Sequence, residues 1–194
     1  MSIDRPEGLA HKIVAALDRL ERAQRAARQS VATSQQLTPL QLDLLEVLGR
    51  GTPPIPSVGE LAREVAVSQP TTTDSVKSLV AKGLVRRARD PDDARRAILN
   101  VTPDGVKVSE RSVEADAPLI AAVESLPAEA QAVLLETLLT LIASMVHSGA
   151  IDVARTCLTC RYHEATDDRH RCTLLNVDLP IPELRVNCPD HQAA

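Results

Sequence analysis

Aromatic side chains are almost missing from this 194-residue chain: Tyr162 stands alone, with no Phe and no Trp. The core must therefore be aliphatic, drawn from the 44% of residues that are hydrophobic. A pocket built to stack a planar aromatic ligand is hard to make from such a composition. Cysteine is absent from the first 156 residues and then occurs four times, at 157, 160, 172 and 188. No run approaches eighteen consecutive apolar residues, so a membrane-spanning segment is not expected. The opening "MSIDRPEG" lacks the basic-then-apolar pattern of a secretory signal. The expectation is a cytoplasmic protein, where structural disulfides are rare.

An excess of positive charge is lacking too, since the formal net charge is −4. The average hides a gradient. Residues 77–96 carry seven basic side chains against three acidic ones, whereas residues 106–150 carry two against six. A local basic face is what phosphate binding needs, and the overall charge decides less.

The helical pattern begins early. Leu9, Ile13, Leu17 and Leu20 recur at spacings of four, four and three, which predicts a helix over residues 7–33, with Arg19, Arg22, Arg25 and Arg28 on solvated positions. "LTPLQLDLLEVLG" predicts a second helix, with Thr38 as N-cap, Pro39 at the first position and Gly49 as the stop. "GTPPIP" is a break with room for a very short strand at Ile55. "SVGELAREVAV" opens with a capping box, Ser57 and Glu60, and turns Leu61, Ala62 and Val65 inward. "SQPTTTDSVKSLVAKGLV" is capped by Ser68, tolerates Pro70 in its first turn, buries Val76, Leu79 and Val80, and ends at Gly83. "LVRRARDPDDARRAILNVT" reads as strand, turn, strand around Asp90, Pro91, Asp92 and Asp93. Thr102 and Pro103 start a further helix. After "SLPAEA" comes the most apolar helix, hydrophobic nearly all the way round, which a partner subunit would help to cover. From about Gly149 the chain is polar, with no sustained helical period beyond "IDVARTC".

Two short helices joined by "AVSQP", followed by a hairpin with a basic tip, form a winged helix-turn-helix. The outer face of the second helix is expected to carry Ser68, Gln69, Thr71, Thr72, Thr73, Ser75, Lys77 and Ser78. Short polar groups of this kind enter a major groove and hydrogen-bond base edges and phosphates. Arg86 follows on the first strand, and the tip offers Arg95 and Arg96, with Asp93 placed to hold an arginine fork. No nucleophile–base pair and no phosphate-cradling glycine loop accompanies them, so the expected role is not enzymatic. The fold expected is mainly α with a small β-hairpin wing.

The stretches "LTPLQ", "ELAREVAVSQPTTTDSVKSLVAKGLVRR", "DPDDARR" and "LNVTPDG" resemble those of the MarR-type (multiple antibiotic resistance regulator) winged-helix transcription factors, over roughly residues 7 to 148. That resemblance implies a homodimer formed by the N-terminal helix and the helices after Gly105. It implies a recognition helix at about 68–82, a wing arginine at Arg95 oriented by Asp93, and an inverted-repeat double-stranded DNA operator with half-sites about one helical turn apart. The division it implies is a dimerisation helix at 1–35, a DNA-binding domain at 36–105 and dimerisation helices at 106–149, and the change of texture sets off a cysteine-rich tail at 150–194. A repressor is the expected role. The chain departs from the family's redox sensors in having no cysteine near its N-terminus.

In the tail the spacing is Cys157-x2-Cys160-x11-Cys172-x15-Cys188. Four thiols in a cytosolic protein suggest a metal before a disulfide framework. Zinc fits the ligand count, with His163, His170 and His191 as substitute ligands. An iron–sulfur cluster fits one CxxC and two single cysteines as well, and Cys188-Pro189 is similar to the Cys-Pro of some ferredoxin motifs. A thiol switch between Cys157 and Cys160 is a third reading and a disordered tail with incidental cysteines a fourth, and a tail whose main role is to dock another protein is an alternative function. If a metal binds, its occupancy or redox state is expected to tune operator affinity, and coordination to supply the tail's folding energy.

Overall fold

The computed structural model describes residues 8–50, 57–89, 97–166 and 169–194. The proposed strand at Ile55 and the hairpin tip with Asp93, Arg95 and Arg96 lie outside the described residues. The elements in chain order are α1 (Leu9–Ser34), α2 (Pro39–Gly49), α3 (Val58–Glu64), α4 (Gln69–Ala81), β1 (Val85–Arg89), β2 (Ala97–Val101), α5 (Pro103–Ala115), α6 (Ala117–Glu124) and α7 (Ala128–His147). The tail adds a three-stranded antiparallel sheet of β3 (His163–Thr166), β4 (Arg169–Cys172) and β5 (Val177–Leu179), with 3-10 turns at Cys157–Thr159 and Ile181–Glu183. The fold is mainly helical with small antiparallel hairpins.

Helices start where short hydroxyl side chains can satisfy free backbone N–H groups. Thr38 Oγ1 accepts from the Gln41 N–H at 3.2 Å while Gln41 Oε1 accepts from the Thr38 N–H at 3.2 Å, so the expected cap is a full capping box. Ser57 and Glu60 make the expected box at 3.3 and 2.7 Å. Ser68 and Thr102 accept from the N–H groups of Thr71 and Gly105 at 3.4 and 3.2 Å.

The two glycines read as helix stops differ. Gly83 follows α4 at φ +72°, a conformation that favours glycine. Gly49 is instead the last residue of α2, outside the left-handed region. Its role is close approach: a Cβ there would come within 2.8 Å of Ser109 Oγ on α5. Gly105 is tighter still, because a Cβ would sit 2.2 Å from the Leu84 carbonyl oxygen and 2.7 Å from Val101 Cγ1. The first turn of α5 therefore lies directly on the base of the β1–β2 hairpin.

The central core is aliphatic throughout. Leu42, Leu44, Leu45 and Leu48 of α2 meet Leu61 of α3, Val76 and Leu79 of α4, Val85, Leu99 and Val108, with Ala32 of α1 closing one side. Val80, expected inward, is on the rim and 36% exposed. Arg28, expected in solvent, reaches three carboxylates: Asp43 at 3.3 Å and Glu46 at 3.1 Å on α2, and Asp116 at 3.2 Å between α5 and α6. Charge thus joins α1 to the winged helix and to the C-terminal helices at one point.

A second, smaller core lies in the C-terminal third. Leu139 of α7 packs with Cys157 and Leu184, flanked by Leu135, Leu158, Leu179 and Ile181. The tail therefore folds back onto α7, and residues 151–156, where helical period was noted, form no helix. By length and mean hydropathy (1.5) α7 resembles a membrane-crossing helix. Its Leu135–Leu139 face is under the tail, whereas Val133, Leu134, Leu141 and Met145 are exposed.

Candidate nucleic-acid interface and cysteine tail

The turn between α3 and α4 is set by Ala66, whose φ of +52° reverses the chain within a few residues. Leu61 then packs in one cluster with Val76 and Leu79, which seats α4 on the core, and Ala62 beside it is also buried. Periodicity sorts the rest of α4. Gln69, Pro70, Thr71, Asp74 and Lys77 are exposed, and Thr73 and Ser75 are half-buried. Ser68 lies exposed at the cap, its hydroxyl 2.7 Å from that of Thr71.

Two expectations change here, and one residue joins the outer face. Thr72 is fully buried, its hydroxyl donating to the Ser68 carbonyl at 3.1 Å, so it faces the core and not a groove. The cause is spacing: Thr72, Val76 and Leu79 share one helix face. Ser78 is half-buried and accepts from Gln41 Nε2 at 2.9 Å, which turns it toward α2. Asp74, unnoticed in sequence, stands on the outer face beside Lys77 at 3.0 Å. A carboxylate there repels phosphate but can accept from a cytosine amino group in a major groove. Lys82 is used internally: its ammonium reaches the Gln36 carbonyl and, at 3.3 Å, Gln41 Oε1.

The hairpin pairs Val85 with Val101 through to Arg89 with Ala97. Val85 and Leu99 anchor it in the core, and Arg86, Arg87 and Arg89 are exposed. A polar helix face and a three-arginine strand are thus presented by elements that pack on each other.

In the tail the four thiols are free, with Cys157 buried and the others half-buried. Burial pushes the Cys157 thiol above its usual pKa; the Arg185 N–H donating to it at 3.2 Å acts the other way, and the charges of Cys188, Cys160 and Cys172 raise it further. Among the described residues no three or more His, Cys, Asp or Glu side chains stand in a metal-ligating arrangement. The histidines have other partners. His163 Nε2 and His170 Nδ1 are 2.9 Å apart with their rings stacked, and His170 Nε2 lies 3.5 Å from Glu136 of α7. Burial, then the charge of His170, lowers the pKa of His163. His191 faces Thr159, 3.0 Å from its hydroxyl.

Residues 35–96 match the model of the MarR family. Over that stretch, about a third of the chain, the winged helix-turn-helix is similar to the MarR family. Solved structures agree in fold. A MarR-family protein from Bacillus stearothermophilus is 26% identical, with a TM-score of 0.56 over 72% of this chain and 99% of its own. A MarR-family transcriptional regulator from Silicibacter pomeroyi is 23% identical, with a TM-score of 0.61 over 71% and 92%. A mutant of MepR from a multidrug-resistant S. aureus clinical isolate is 18% identical, with a TM-score of 0.59 over 69% and 96%. These MarR structures are nearly whole within the overlap, and roughly three tenths of this chain falls outside it. No curated protein matches the chain.

Proposed function

We propose that this chain is a MarR-type, cytoplasmic, homodimeric regulator of transcription that binds an inverted-repeat DNA operator and acts as a repressor. The observation that carries the reading is the outer face of α4, with Gln69, Thr71, Asp74 and Lys77 exposed, continuing into Arg86, Arg87 and Arg89 of β1. Thr71 and Gln69 have the size and polarity to read base edges, and Lys77 and Arg86 suit phosphate. In this reading Thr73 and Ser75 sit at the margin of the contact, and Arg95 and Arg96 extend it into the minor groove with Asp93 orienting the fork. The dimer is supported by exposed apolar side chains on α1, among them Leu9, Ile13, Val14 and Leu17, and on α7. A surface of that kind is normally covered by a partner. The state of the cysteine tail tunes affinity. A second reading makes the tail mainly a docking module for another protein; what favours it is exposed Leu174, Leu175 and Val177 at the far edge of the tail.

The test is selection of duplexes from a random library, followed by fluorescence anisotropy on the winner across a salt series. An inverted repeat should emerge, with affinity falling steeply as salt rises. Lys77→Ala and Arg86→Ala should each lower affinity and reduce the salt slope by about 1. Arg95→Ala should weaken binding while the dimer stays folded. Failure to enrich any repeat, or unchanged affinity in all three variants, overturns the reading.

A further inference from the structure

The four cysteines sit on three segments, Cys157 and Cys160 sharing one, that backbone hydrogen bonds tie into one small frame. The Cys157 N–H donates to the Arg185 carbonyl at 3.0 Å, and the Arg185 N–H donates back to Cys157 Sγ at 3.2 Å. The Cys188 N–H donates to the Arg155 carbonyl at 2.8 Å, joining the same two segments again. Cys160 follows Cys157 within one turn, its N–H on the Cys157 carbonyl at 3.0 Å. The His163 N–H then donates to the Cys160 carbonyl at 3.0 Å, and His163 is the register partner of Cys172 across β3 and β4.

That frame is poorly supplied with core. Of the tail's described side chains only Cys157, Leu184 and Thr156 are buried, and the first two gain their burial against α7. A sheet of three strands with three or four residues each is too small to hold itself together without a cross-link or a metal. The thiols are free, so no disulfide supplies it.

We propose that Cys157, Cys160, Cys172 and Cys188 bind one Zn2+ as a tetrathiolate, and that the ion fixes the tail as a strap between α7 and the winged helix. Binding replaces four S–H bonds by four Zn–S bonds and releases the protons to solvent. In the structure the side chains are not drawn into a ligating set, and metal binding is the step that draws them together within the frame. A tetrathiolate around a divalent ion carries a net double negative charge. Arg185 offers its backbone N–H to Cys157 and, 4.0 Å from Cys188 Sγ, its guanidinium. Zinc fits better than an iron–sulfur cluster because Cys160, Cys172 and Cys188 are all partly open to water, with Tyr162 the one aromatic residue to shield them.

The strap follows from what adjoins the ligands. Arg155, two residues before Cys157, reaches Glu64 at the end of α3 at 3.5 Å. Asn187, next to Cys188, accepts from Arg50 just after α2 at 3.2 Å. On the other side Leu158, Leu184 and Ile181 pack around Leu139 and Leu135 of α7. Fixing the four sulfurs fixes both sets of contacts, and with them the seating of the DNA-binding lobe on α7. The effect on DNA rests on the function proposed above; the zinc site does not.

The experiment is metal and sulfide analysis of the full chain purified without chelator. One zinc per chain is expected, with neither iron nor sulfide. Cys172→Ser and Cys188→Ser should each lower zinc content about tenfold or more, and His163→Ala should keep it. Because a serine variant can fail by misfolding, the wild-type chain is also loaded with Co2+, which should show the intense visible bands of a tetrahedral tetrathiolate, unchanged in His163→Ala. Absence of zinc, iron with matching sulfide, zinc retained in both serine variants, or a cobalt spectrum that shifts in His163→Ala overturns the site. Arg155→Ala should keep its zinc yet bind the selected operator differently from wild type. Unchanged DNA affinity in that variant overturns the strap. A chain that binds zinc and no DNA refutes the function and leaves the site standing.

Discussion

Replacing Arg28 by methionine keeps most of the apolar stem and removes the cation that Asp43, Glu46 and Asp116 share at 3.1 to 3.3 Å. At an effective dielectric of about 20, each contact is worth roughly 5 kcal/mol of attraction, most of it offset by the cost of drying the charges. Removing one partner is a different matter, because three carboxylates then face one another. Asp116 already has one buried oxygen without a hydrogen bond, and Glu46 is only 12% exposed. A fully buried pair broken in this way loses about 3–5 kcal/mol; Asp43 is 42% exposed, so about 2–3 kcal/mol is expected here.

The sign with pH separates charge from packing. Burial raises the pKa values of Asp43 and Glu46 above their ordinary 3.8 and 4.5, and Arg28 pulls them back. Raised carboxylates favour folding most when protonated, and that contribution is lost as pH climbs through the folded pKa. Without Arg28 both rise further. The deficit of Arg28→Met should therefore be largest at pH 7 and shrink as pH falls toward about 5. Urea unfolding followed by circular dichroism, at one fixed protein concentration, measures it. A deficit that stays constant between those pH values, or one below about 0.5 kcal/mol throughout, refutes the charge argument.

Gly105→Ala should cost about 3 kcal/mol or prevent folding, since the backbone oxygen of Leu84 cannot give way; a melting temperature within two or three degrees of wild type would show that α5 sits elsewhere. Thr72→Val should change stability by about 1 kcal/mol at most, because the Ser68 carbonyl keeps the Thr72 N–H at 3.0 Å. Its operator preference should equal wild type in the selection assay, and altered preference would put Thr72 on the outside. Ala66→Gly relieves a left-handed alanine and should stabilise by up to about 1 kcal/mol in thermal melts; a loss of stability would mean that the Ala66 side chain is needed in the turn.

Local chemistry made the central fold readable. Hydroxyl caps at Thr38, Ser57, Ser68 and Thr102 mark helix starts because they act on N–H groups two or three residues away. Helix α4 is equally visible in the sequence, but the pattern makes its outer face look wider than it is. A run of three threonines looks uniform in sequence, yet a 3.6-residue period must turn one of them, Thr72, into the core. Long-range partners left no such trace. Arg28 is one of four arginines spaced three apart, and only the packing of α2 and of Asp116 distinguishes it from Arg22 and Arg25, which pair with acids one turn away on α1. The tail was legible as cysteines but not as a fold, because its strands are three or four residues long and its apolar contacts lie on α7.

The seat of the tail on α7 also decides how two copies can face each other. At about 100° per residue, Leu135, Leu139 and Val146 lie along one side of α7, and Val133, Leu141 and Met145 along the other. A neighbouring copy can approach α7 only across the second side, so in the proposed dimer the two tails point outward, away from the shared axis. The cysteines of one subunit are then out of reach of the other's. An oxidised sample run without reductant should migrate as single chains, each tail closed on itself.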